Sequence, residues 1–221
     1  MHGTKHPRVK ICCIASLEEA ELAIRYGASA LGLVSDMPSG PGPIADERIG
    51  EIARAIPPGV ASFLLTCRQD ASSIIDQQRR LKTSTIQLVD SVAPDAYHTL
   101  RDSLPGIALV QVIHVRGESA IDEALRVAPY VDALLLDSGN ASLAVKELGG
   151  TGRKHDWAIS RRLREAVPVP VYLAGGLNPD NVREAIERVG PFGLDVCSGV
   201  RTGGALDVQK LKKFFAAVSP V

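Results

Sequence analysis

Residues 169–200 read VPVYLAGGLNPDNVREAIERVGPFGLDVCSGV. The stretch opens on a short aliphatic run, 169–173, and turns at Gly175-Gly176. A helical pattern over 179–189 stops at Gly190, and a second apolar run follows at 193–197, ending in Ser198-Gly199. Both runs are continuous rather than alternating, as in strands buried on both faces of a parallel sheet. Two parallel strands need a crossover between them, and a helix of this length supplies it. The unit is therefore strand, glycine turn, helix, strand, glycine turn.

The same unit recurs toward the N-terminus. Apolar runs stand at 9–14, 30–34, 60–65, 85–88, 108–113 and 133–136, with helical patterns at 16–25, 46–56, 71–81, 94–103, 118–127, 157–166 and 207–218. Ser16 and Glu19 form a capping box, and Gly27 supplies the stop. Eight strand–helix units in 221 residues with no break in composition predict a (β/α)₈ TIM barrel, an α/β fold with one domain over 1–221. An open doubly wound sheet is the other arrangement such units allow. Two stretches are too irregular for helix, 36–45 with MPSGPGPI and 138–155 with GGTG. Both follow strands, so in a barrel both lie on the C-terminal face, where active sites of this fold sit.

Composition narrows the function. Twenty-five basic residues balance 25 acidic ones, which gives no electrostatic reason to expect nucleic acid or a membrane surface as partner. No apolar stretch reaches the ~20 residues of a membrane span, and the start MHGTKHPRVK lacks the apolar run of a signal peptide, so the cytoplasm is the expected location. The four cysteines have no metal spacing, and no metal is expected. Cys12 and Cys13 are neighbours in a strand run and are expected on opposite faces, which argues against a bond between them.

The candidate chemistry collects at strand ends. Gly150, Thr151 and Gly152 follow the sixth strand, Gly175 and Gly176 the seventh, and Ser198 and Gly199 the eighth; Asn178 is placed to cap the seventh helix. Glycine lets backbone N–H groups approach an anion, and barrels often bind phosphate after strands 7 and 8. Alternation puts Lys10 and Cys12 on one face, where a cation favours the thiolate. Asp137 closes the run LLLDS, and Asp195 precedes Val196-Cys197. Cys12 and Asp137 would supply a base and an acid across the barrel mouth, suited to proton transfer at a sugar carbon. Gln87 reads as a buried polar group of the fourth strand. Arg68, after the third, is a candidate for binding a carboxylate. His114, Trp157 and Arg201 read more simply as packing or loop residues.

VKICCI (9–14), IQL (86–88), LLLDS (134–138), GGTGRKHDW (149–157), LAGGLNPDNV (173–182) and DVCSGV (195–200) resemble, in order and over nearly the whole chain, the signatures of the phosphoribosylanthranilate isomerase family. The resemblance implies a (β/α)₈ barrel of tryptophan biosynthesis performing an Amadori rearrangement without metal or organic cofactor. It implies Cys12 as general base, Asp137 as general acid, and the phosphate on Gly150–Gly152, Gly175-Gly176 and Ser198-Gly199. The partner implied is a small phosphorylated sugar substrate; a homodimer is left open.

Four positions depart from the family pattern. Cys13 stands for a glycine and Val89 for a histidine. Gly40-Pro41-Gly42 stands for Ser-Pro-Arg, whose arginine meets the anthranilate carboxylate, and Arg201 stands for a glutamate. Arg68 is the nearest cation to replace the lost one. These changes keep two alternatives open: a divergent paralogue isomerising another phosphorylated glycosylamine, and a sugar-phosphate-binding protein without turnover.

Overall fold

The computed structural model describes residues 6–139, 146 and 155–219. Eight parallel strands, β1 (Arg8–Ile11), β2 (Ala30–Val34), β3 (Ala61–Thr66), β4 (Thr85–Leu88), β5 (Ala108–His114), β6 (Ala133–Asp137), β7 (Val171–Leu173) and β8 (Gly193–Val196), form a barrel in sequence order. The closure is β8 against β1, with Lys10 opposite Asp195 and Ile11 opposite Val196, which excludes the open sheet. Around it stand α1 (Leu17–Arg25), α2 (Asp46–Ala55), α3 (Ala71–Leu81), α4 (Pro94–Ser103), α5 (Ser119–Val127), α6 (Trp157–Ala166), α7 (Val182–Val189) and α8 (Val208–Val218). A hairpin, β9 (Arg201–Thr202) and β10 (Ala205–Leu206), precedes α8. Among the described residues no helix is long and apolar enough to cross a membrane.

Strand alternation sorts the side chains into two layers. Ile11, Leu31, Leu33, Leu64, Ile86, Leu88, Leu134 and Leu136 face outward and pack under the helices. Phe63, Leu65, Val110, Val112, Leu135 and Tyr172 face inward and fill the barrel. Phe63 meets Tyr172 edge-on at 5.9 Å and Tyr172 meets Phe192 at 5.5 Å, an aromatic plug toward the N-terminal end. Gly193 makes room for that plug, since a Cβ there would lie 2.4 Å from the Tyr172 ring.

Two local expectations are corrected. The first strand ends at Ile11 instead of residue 14, because Cys13 takes φ +61°, a left-handed backbone that leaves the ladder. The seventh helix starts at Val182 instead of 179, and Asn178 does not cap it. The Asn178 side-chain oxygen accepts the Asp180 N–H at 2.9 Å, an Asx turn that delays helix entry.

Candidate active site

The first strand brings two inward groups to the C-terminal end. Lys10 is fully buried, and its Nζ donates to Asp195 Oδ1 of β8 at 2.8 Å, with the Phe63 ring centroid 5.4 Å away. Burial pulls the Lys10 pKa down, but the Asp195 carboxylate and the adjacent Cys12 thiol outweigh it and hold the ammonium charged. Cys12 follows on the same face. Gly32 of β2 belongs to no motif of the sequence yet bounds this site. A Cβ there would lie 2.8 Å from Cys12 Sγ and 3.0 Å from Lys10 Nζ, so only glycine leaves space for both. A glycine inside an apolar strand is the signal that could have found it.

Asp137 ends β6 and is buried. Burial pushes its carboxyl up to about 6. The Ser138 backbone N–H opposes that shift, and the Asp195 charge adds to it. A carboxyl in this range is still protonated in a fraction of molecules near neutrality, far more than an ordinary carboxylate, which lets it serve as a general acid. Gln87 projects from β4 with Oε1 buried and without a hydrogen-bond partner, an acceptor available to a ligand hydroxyl.

The turns after β7 and β8 form the next wall. Gly175 (φ +82°) and Gly176 (φ +65°) take backbone conformations that favour glycine. Asn181, another residue missed from sequence, ties this turn. Its Nδ2 donates to Gly176 O at 2.9 Å, and its Oδ1 accepts Asn178 N–H at 2.9 Å. The turns pack back to back: a Cβ on Gly199 would lie 1.9 Å from Leu177 O. Gly150, Thr151 and Gly152 lie outside the described residues.

Most of these groups line one pocket, open at the barrel mouth. One side holds Cys12, Asp137, Asp195, Gly175, Gly176 and Ser198. The other holds Val34, Met37, Leu65, Val89, Val112 and Leu135, roofed by Ser39, Gly40 and Pro41. Lys10 lies beneath it. Arg68 is not brought in. Its side chain is exposed and does not line the cavity, while its N–H donates to Thr66 Oγ1 at 3.3 Å. His114 hydrogen-bonds Val89 O at 3.1 Å, and Trp157 is buried under α6 with the Arg188 guanidinium 5.6 Å from its ring.

The expected divergence of Cys12 and Cys13 is also corrected. Because Cys13 leaves the strand at positive φ, its thiol returns toward the cavity and lies 2.8 Å from Cys197 Sγ. Contact with the Cys12 and Cys197 thiols, together with burial, holds the Cys13 pKa well above the usual thiol value. The Cys13 side chain packs on Gly42, where a Cβ would lie 2.5 Å from Cys13 Cβ and where φ is +88°. Arg201 is no loop residue. Its Nη2 donates to Cys13 O at 2.6 Å and to Cys12 O at 3.2 Å, and its fork grips Glu19 at 2.7 and 3.1 Å.

A family model described as N-(5'phosphoribosyl)anthranilate (PRA) isomerase matches residues 9–217. Among curated relatives, N-(5'-phosphoribosyl)anthranilate isomerase of Methanocella arvoryzae is 37% identical over 206 residues, covering 93% of this chain and 92% of the relative. That of Haloferax volcanii is 38% identical over 212 residues, covering 95% and 92%. Among solved structures, phosphoribosyl anthranilate isomerase from Thermotoga maritima superposes with a TM-score of 0.82 at 29% identity, covering 96% of this chain and 98% of that one. A phosphoribosyl anthranilate isomerase in complex with reduced 1-(o-carboxyphenylamino)-1-deoxyribulose 5-phosphate superposes with a TM-score of 0.80 at 28% identity and the same coverage.

Proposed function

The chain belongs to the N-(5'-phosphoribosyl)anthranilate isomerase family, and we propose that Cys12 and Asp137 drive that family's reaction here as base and acid. The chain is an isomerase of tryptophan biosynthesis that rearranges the ribosylamine into its 1-deoxyribulose form. The phosphate sits on the backbone N–H groups of the turns at Gly175-Gly176 and Ser198-Gly199. The aryl group lies against Val34, Leu65, Val89, Val112 and Leu135. This orientation leaves the sugar carbons between Cys12 and Asp137.

Asp137, protonated, donates to the ribose ring oxygen. The C1–O bond breaks, and the nitrogen lone pair forms the Schiff base. The Cys12 thiolate then takes the C2 proton, the electron pair moves into the C1–C2 bond, and the enolamine results. Tautomerisation moves a proton to C1 and leaves a ketone at C2, with no net gain or loss of atoms. Lys10 supports the thiolate through its charge, and Asp195 anchors Lys10. Gln87 Oε1 accepts from a sugar hydroxyl.

The observation that carries this reading is the buried Asp137, held near a pKa of 6, in the same cavity as Cys12. The test is turnover of phosphoribosylanthranilate by the purified protein, followed by loss of anthranilate fluorescence. Wild type should be active, with Cys12→Ser and Asp137→Asn each nearly inactive. Retained turnover in either variant removes that residue from its role. Binding of ribose 5-phosphate without turnover of phosphoribosylanthranilate in wild type would leave the two alternatives, an isomerase of another phosphorylated glycosylamine or a sugar-phosphate-binding protein.

A further inference from the structure

Cys13 is one of two non-glycine residues with positive φ among those described, the other being Lys82 at the end of α3. A left-handed backbone is strained at a residue with a Cβ and persists where surrounding contacts hold it. Here the held segment is the exit of β1, immediately after Cys12. The last ladder bond is Cys12 N–H to Val196 O at 2.9 Å, and the chain rejoins the sheet only where Ile14 N–H meets Gly32 O at 3.0 Å.

The two carbonyls within that gap, Cys12 O and Cys13 O, are both taken by Arg201 Nη2. The guanidinium is itself built in. Its side chain is 9% exposed; Nη1 donates to Glu19 Oε1 at 2.7 Å and to Gly204 O at 2.8 Å, and Nη2 meets Glu19 Oε2 at 3.1 Å. Glu19 also accepts the backbone N–H of Ala15 and of Leu206, each at 3.1 Å. Burial raises the Glu19 pKa, but Arg201 and these two N–H groups outweigh it and keep the carboxylate charged. Arg201 directly follows the Ser198–Val200 turn, so one short segment reaches both the phosphate cradle and the exit of β1.

We propose that Arg201, held by Glu19, is a positioning residue that clamps the strained Cys12–Cys13 exit and thereby aims the catalytic thiol. The inference rests on Cys12 being the base. The clamp matters only while residue 13 carries a side chain, because glycine adopts φ +61° without strain.

The test is a double-mutant cycle on phosphoribosylanthranilate turnover. Arg201→Ala should lower kcat about ten- to a hundredfold with KM little changed, the scale of an ångström misplacement of a reacting group. In a Cys13→Gly background the same substitution should cost about fivefold less or better, the coupling of directly interacting residues. A loss equal within about twofold in both backgrounds overturns the clamp, since uncoupled sites add. If Arg201→Ala does not fold, Arg201→Lys takes its place. A single ammonium lacks the guanidinium fork, so the same rescue is expected, and its absence is equally fatal. Glu19→Gln, which frees the guanidinium to shift, should lower kcat in the same direction and be rescued in the same way. Retained turnover in Cys12→Ser would instead sink the assignment of the base.

Discussion

The two halves of the cavity are made of different material. The half at β7 and β8 is backbone: glycines at positive φ, a turn so close to its neighbour that a Cβ would strike it, and asparagines tying the loops. The half from β2 to β6 is side chain, mostly aliphatic, and among the described residues its lining holds no cation. A backbone cradle recognises a phosphate whatever the rest of the ligand is. An aliphatic wall recognises a flat apolar group and is retuned by single substitutions. Under the proposed assignment, the β7–β8 half would hold the phosphate common to the family, and the β2–β6 half would set what this chain selects.

The groups at the seam should show the largest effects. Cys12→Ser and Asp137→Asn are each expected to lower kcat about 10²–10⁴-fold with little change in KM, read from initial rates. A loss confined to KM would move that residue into one of the halves. Next is the cradle. Gly199→Ala forces a Cβ against Leu177 O. Titration with ribose 5-phosphate should show at least about a tenfold weaker Kd, or ~1.4 kcal/mol. Unchanged affinity would mean that the β7 and β8 turns do not hold the phosphate.

The aryl half offers a smaller and subtler contrast. Returning an arginine to the loop after β2 is not a simple repair. Gly42→Arg meets Cys13 Cβ and takes on roughly 1–2 kcal/mol of left-handed strain, a Tm lower by about 2–8 °C by calorimetry. Adding Cys13→Gly removes the contact and should recover part of that loss. The pH profile probes the seam again. Asp137 acts in its protonated form, so kcat/KM should fall as pH rises through about 6. Asp195→Asn removes one upward cause and releases Lys10 from its partner, so the Asp137 pKa drops and the falling limb moves to lower pH. A limb that stays or moves upward assigns it to another group. Smallest of all, Arg68→Ala should change KM less than about threefold, as for an exposed charge. A ten- to hundredfold rise, the scale of one lost charge-assisted bond, would bring Arg68 to the substrate after all.

Much of this was legible in the residues. Continuous aliphatic runs separated by amphipathic stretches give the barrel because parallel strands must be buried on both faces. The glycine turns and the strand-end Cys12 and Asp137 stand where local chemistry announces them. Gly32 and the Arg201–Glu19 grip do not, because each acts on a segment distant in sequence: Gly32 on β1, Arg201 on carbonyls 188 and 189 positions away. Asn181 reaches only three and five positions back, but it lies inside the run 179–189 that reads as helix, which hides its role in the turn. Cys13 and Arg201 each broke the family pattern and looked like separate losses. The structure shows them in contact, which no reading of either position alone could supply.

The pairing of Lys10 with Asp195 spans 185 positions, from the first strand to the last. A ribosome makes these residues in that order, and at 5–20 residues per second the ammonium waits roughly 10–40 s for its carboxylate. Burying an unpaired ammonium costs several kcal/mol, so a nascent chain cannot profitably seal β1 into a core of its own. Only β8 closes the barrel, and the same strand supplies the carboxylate that pairs with the lysine and leads Ser198 into the cavity that Cys12 lines.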